Sequence, residues 1–87
     1  MDRTYIEETV NAALIAEFEL EPEAVVPDAR IREDLKLDSL DIVDMVVLLE
    51  ETFSFTIEDR SPVLGIRTMN DIYDYIERLQ AGIMKTA

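Results

Sequence analysis

The sequence predicts an all-α fold, a four-helix bundle of three main helices with a short, irregular third helix between the last two. Three observations carry that expectation. Apolar residues near the N-terminus recur at spacings of three and four, a stretch in the middle runs fifteen residues without glycine or proline, and helical spacing returns after a capping pattern near the C-terminus.

From about Thr4 to Glu19, Ile6, Val10, Ala13, Leu14 and Phe18 fall on one stripe of a first helix, with Glu7, Glu8, Asn11 and Glu17 largely outside it. Pro22 and Pro27 then punctuate residues 21–37, where Val25, Val26, Ile31, Leu35 and Leu37 follow no sustained period. A long ordered loop pinned by these side chains is expected, and such connections often serve a site. A second helix should open at Asp38 or Ser39, both good capping residues, and run to about Phe53. Between Ser54 and Ile66, Pro62 and Gly65 allow only a short, irregular helical turn. Thr68 and Asp71 resemble a capping box with Asp in place of Glu or Gln, opening a last helix of about Met69 to Gln80 along Ile72, Ile76 and Leu79. Gly82 sits where a terminator would.

With 87 residues, the chain is read as one domain, residues 1–87, with an ordered helical core over about 4–80 and a frayed C-terminal tail. Its 8 basic and 20 acidic side chains give a net charge of −12, so phosphate backbones and anionic lipids would repel it. Neither nucleic acid nor membrane insertion is expected. Residues 33–59 are the acidic zone, with nine acids against Lys36 alone. Cysteine and histidine are both absent, which excludes a disulfide scaffold, a thiolate nucleophile, the usual zinc site and a Ser-His-Asp relay. Autonomous catalysis and a bound metal are therefore not expected. The opening MDRTYIEETV has neither the apolar stretch of a secretory signal nor the character of a transit peptide, so the cytoplasm is the expected compartment, and a monomer the expected state.

The second helix carries two faces. At about 100° per residue, Ile42, Met45, Val46, Leu49 and Phe53 share a core-facing stripe. Leu40 and Val47 lie on the far side, two turns apart, with Asp44 and Glu51 beside them. An apolar strip flanked by Asp41, Asp44, Glu50 and Glu51 suits transient docking on basic, partly apolar partner surfaces. Ser39, at the junction of loop and helix, is open to two readings. It is either the N-cap itself or, if Asp38 caps with Asp41 three residues on, a free hydroxyl in the first turn. There the positive end of the helix dipole stabilises a phosphate ester. No neighbouring base activates it, so another enzyme would have to make any ester.

The run Glu33-Asp34-Leu35-Lys36-Leu37-Asp38-Ser39-Leu40-Asp41, followed by Val43-Asp44-Met45-Val46 and Leu49-Glu50-Glu51-Thr52-Phe53, closely resembles the acyl carrier proteins of fatty acid and polyketide synthesis. With the first helix, the long loop, Ile57, Thr68 and Asp74-Tyr75-Ile76, the resemblance covers nearly the whole chain. It implies a carrier of acyl-carrier fold that catalyses nothing. A separate phosphopantetheinyl transferase would attach 4′-phosphopantetheine from coenzyme A to Ser39, and the arm's thiol would carry acyl groups as thioesters. Asp38, Leu40, Asp41, Asp44, Val47, Glu50 and Glu51 would form the face recognised by acyl-carrier synthases, ketosynthases and acyltransferases. Ile31, Ile42, Val46, Leu49, Phe53, Ile57, Ile66 and Ile72 would be the interior positions lining an acyl pocket, with ordinary core packing the alternative for each.

Three departures from the family pattern point to a specialised carrier. Lys36 replaces a frequent glycine and adds a cation beside Ser39, the segment Arg60 to Ile66 is about one residue longer than usual, and Ile42 and Ile72 stand where smaller residues are common. Competing expectations are a peptidyl or aminoacyl carrier and an unmodified acidic helical adaptor. A calcium sensor built on Asp38, Asp41 and Asp44 is disfavoured, because their spacing belongs on a helix and the loop of an EF-hand is missing.

Overall fold

The computed structural model describes residues 2–54 and 65–86, with side chains through Gln80. Three α-helices stand among the described residues: α1 (Arg3–Phe18), α2 (Ser39–Phe53) and α3 (Met69–Thr86). The fold is all-α. The short helix expected between Ser54 and Ile66 falls on residues 55–64, outside the described residues, as does Ile57.

Helix α1 begins one residue earlier than its apolar period predicts, because the Asp2 carboxylate accepts the Tyr5 amide at 2.8 Å and so satisfies a donor of the first turn. It ends where Glu19 adopts the left-handed conformation (φ 54°) and the Leu20 amide donates back to the Ile15 carbonyl at 3.2 Å. Helix α2 has the expected bounds. Helix α3 opens on the predicted box: Thr68 Oγ1 accepts the Asp71 amide at 3.3 Å, and Asp71 Oδ2 accepts the Thr68 amide at 3.2 Å. Gly82, read as a terminator, does not stop α3, which continues to Thr86. Glycine weakens a helix by only about 1 kcal/mol relative to alanine, so its presence alone is a weak stop signal.

Ile6, Val10 and Leu14 from α1 meet Met45, Val46 and Leu49 from α2 and Met69, Ile72, Tyr73, Tyr75 and Ile76 from α3 in one buried cluster. Ile42 and Phe53, expected in the α2 core stripe, are half-buried at its edges. The loop between α1 and α2 contains one 3-10 turn, Pro22–Ala24, which lay hidden in the aperiodic stretch. Val25, Ile31, Leu35 and Leu37 pin it to the core as expected, but Val26 does not, being 46% exposed. The remaining anchorage is backbone pairing. An isolated antiparallel bridge joins Arg30 to Thr68, the Ile31 amide donates to the Arg67 carbonyl at 2.9 Å, and the Met69 amide donates to the Ala29 carbonyl at 3.0 Å. These bonds tie the loop to the entry of α3 and aim its last turn at the start of α2.

Candidate functional site

The start of α2 is where loop, helix and α3 entry converge. Asp38 is the N-cap: its carboxylate accepts the Asp41 amide at 3.0 Å, and the Asp41 carboxylate accepts the Asp38 amide at 3.1 Å. Both carboxylates are thus engaged by backbone donors. Ser39 is left at the first helical position, exposed, its hydroxyl not used for capping. This decides between the two registers that the local sequence allowed.

The hydroxyl is nonetheless in contact. Arg32 Nη2 donates to Ser39 Oγ at 2.7 Å. Arg32 is brought there by the turns at residues 31–34, held by the Ile31–Arg67 bond and by the Leu37 amide donating to the Ile31 carbonyl at 3.1 Å. To close this path, Lys36 adopts the left-handed conformation (φ 61°), where a side chain costs about 1–2 kcal/mol and glycine costs none. Lys36 is therefore a strained residue.

Beside Ser39 opens a cavity of about 660 Å³, within the size range of small-molecule pockets. Its apolar side is Ile31, Ile42, Val43, Val46 and Ile66; its polar side is Arg30, Arg32, Glu33, Ser39, Arg67 and Thr68. Arg30 is taken up by acids, with its guanidinium 3.3 Å from Asp34 Oδ1 and 3.8 Å from Glu33. The Arg30 amide, and then its guanidinium, hold the Asp34 carboxyl below the usual carboxylate range, and the same hydrogen bonding raises Arg30.

Of the side chains expected to line an acyl pocket, Ile31, Ile42, Val46 and Ile66 line this cavity. Leu49, Phe53 and Ile72 are not among its lining residues. The cavity flanks the first turns of α2, whereas Leu49 and Phe53 stand further along that helix. Leu49 and Ile72 are buried in the core itself, and Phe53 is half-buried against it.

The outer face of α2 has the predicted character. Leu40 is 75% exposed and Val47 41%, with Asp38, Asp44 and Glu51 exposed and Asp41 and Glu50 half-buried. Val43, 51% exposed, belongs with them and was missed. Its signal was present: Leu40, Val43 and Val47 follow the spacing i, i+3, i+7 of one helix face. Arg32 was also missed. It precedes Ser39 by seven residues across an aperiodic loop, and no local pattern reports that contact.

The family model described as the phosphopantetheine attachment site matches residues 8–76. The chain belongs to the acyl carrier protein family. Curated relatives with that name cover 80% to 94% of it. The acyl carrier protein of Thermosynechococcus vestitus is 38% identical over 82 residues, 94% of this chain and all of the relative. That of Helicobacter hepaticus is 40% identical over 70 residues, 80% of this chain and 91% of the relative. That of Chlamydia trachomatis serovar D is 38% identical over 75 residues, 86% and 96% respectively.

The carrier is thus not an enzyme, and it bears acyl groups on 4′-phosphopantetheine, a group that supplies a thiol for thioester formation. The residues at the start of α2 fit such a group: an accessible hydroxyl, a guanidinium on that oxygen and a cavity alongside. The family also implies dealings with a phosphopantetheinyl transferase and with biosynthetic enzymes. No described helix is long and apolar enough to cross a membrane.

Proposed function

We propose that Ser39 is the residue to which the transferase attaches 4′-phosphopantetheine, and that the carrier serves fatty acid, polyketide or related lipid synthesis. The observation that carries this is the division of labour in the first turn of α2. Asp38 caps the helix, which leaves the exposed Ser39 hydroxyl available at the positive end of the helix dipole. The other described serine, Ser54, follows the C-terminus of α2, where the dipole disfavours a phosphate.

On this proposal the outer face of α2 meets the transferase, ketosynthases and acyltransferases through Asp38, Leu40, Asp41, Val43, Asp44, Val47, Glu50 and Glu51. The apolar side of the cavity, Ile31, Ile42, Val46 and Ile66, shelters the acyl chain. Basic partner surfaces complement the acids, and weak, salt-sensitive docking follows from that chemistry. Work as a cytoplasmic monomer and a specialised cargo belong to the same proposal.

Incubation with coenzyme A and a broad-specificity phosphopantetheinyl transferase, followed by intact-mass measurement, tests the site. The wild-type chain should gain one arm and Ser39→Ala none, with folding stability changed by no more than about 0.5 kcal/mol. An arm on Ser39→Ala would overturn the assignment. A wild-type chain that gains no mass would favour an unmodified adaptor.

A further inference from the structure

The chemistry around Ser39 poses an electrostatic problem. A phosphodiester on its oxygen would stand among Asp38, Asp41 and Asp44 in a chain of net charge −12. The positive helix end favours that charge, but the Asp38 carboxylate already occupies one of its donors, the Asp41 amide. Of the three arginines on the adjoining cavity, Arg30 is engaged by Asp34 and Glu33. Arg32, by contrast, makes no ion pair among the described residues, and its guanidinium rests on a neutral hydroxyl, Ser39 Oγ, at 2.7 Å. A full positive charge is therefore stationed on the one oxygen where a negative charge would be introduced.

We infer that Arg32 is a positioning residue for the arm: it pairs with the phosphodiester on Ser39 and holds the arm's root at the cavity side of α2. The inference rests on Ser39 being the attachment point. The non-bridging phosphate oxygens would be two bonds from Oγ, within reach of a guanidinium that already contacts Oγ, so no backbone movement is required. Arginine offers several planar donors, and its pairing with phosphate is short and directional. Because Arg32 lines the cavity and does not belong to the outer face of α2, the pairing biases the arm toward shelter and away from the acidic docking strip.

The absence of cysteine makes this measurable, since the arm's thiol would be the chain's only one. Loaded wild type, Arg32→Gln and Arg32→Lys are compared by phosphorus NMR and by the rate at which iodoacetamide alkylates the thiol, with intact mass confirming the arm. Arginine side-chain nitrogen–proton spectra of the wild type before and after loading provide a readout independent of any variant. The expected results are a shifted Arg32 signal on loading and a displaced phosphorus resonance in Arg32→Gln. Thiol alkylation should be roughly three- to tenfold faster in Arg32→Gln, with Arg32→Lys intermediate. High salt should move the wild type toward Arg32→Gln. An arm on the wild type with an unmoved Arg32 signal would overturn the role of Arg32 and leave the Ser39 assignment intact. No arm on the wild type would overturn both.

Discussion

Two arginines in this acidic chain live opposite lives. Arg3 is surrounded by acceptors. Its guanidinium lies 3.1 Å from Glu7, 2.8 Å from Asp74 and 3.6 Å from Glu77, and 5.5 Å from the centre of the Tyr73 ring. Hydrogen bonding to Asp74, foremost, raises its pKa. It fastens α1 to α3, over a Tyr73 that is fully buried and donates its hydroxyl to Asn11 Oδ1. Arg32, on the α2 side, touches a serine hydroxyl at the mouth of a cavity, with exposed Val43 nearby. One region uses its cation to close the bundle; the other leaves it available beside an opening. The ion-paired anchor and the open cavity are thereby housed on different faces.

The contrast predicts unequal responses to mutation. The largest effect is expected for Tyr73→Ala, which should cost about 3–5 kcal/mol in urea denaturation, against no more than about 0.5 kcal/mol for Val43→Ala. Equal costs would show that the cavity side is as tightly built as the α1–α3 side. Next, Arg3→Gln should cost about 1 kcal/mol, partly removed by salt in the wild type, because its ion pairs are half exposed. Arg32→Gln in the unloaded protein should be close to neutral. A salt-independent Arg3 effect would assign that residue to packing rather than charge.

A smaller gain is expected from Lys36→Gly. Release of left-handed strain should outweigh the extra freedom of glycine in the unfolded chain and stabilise the protein by about 0.5–1 kcal/mol. The smallest effect concerns alkaline pH. Burial, foremost, and the charge of Glu7 push the Tyr73 hydroxyl above its ordinary value, against the hydrogen bond with Asn11 and the charge of Arg3. The folded state thus disfavours the phenolate. This contribution is complete below about pH 10 and is lost as pH rises through the raised folded-state pKa. Denaturation midpoints measured above pH 10 should fall more steeply for wild type than for Tyr73→Phe.

Legibility in the sequence followed the range of each interaction. Asp38 with Asp41 and Thr68 with Asp71 could be read as capping pairs because partners three residues apart must meet at a helix start. Leu40 and Val47 could be assigned outward because one angle per residue places them. Val26 was expected to pin the loop with Val25 and does not, since the loop has no period and only the observed path shows which valine of the pair turns inward. Gly82 misled because glycine disfavours a helix by only about 1 kcal/mol, too little to end one by itself.

By itself, then, the amino-acid order determined three helices, the Thr68–Asp71 cap, a core stripe, an acidic outer strip and a serine at a helix start, all consequences of spacing along one chain segment. The tertiary structure decided what surrounds that serine. The pairing of residues 29–31 with 67–69 carries Arg32 onto Ser39 and leaves a cavity beside it, and the same path puts Lys36 in the left-handed region. Contacts of that kind depend on how an aperiodic loop closes against a distant segment, and no local periodicity encodes the closure.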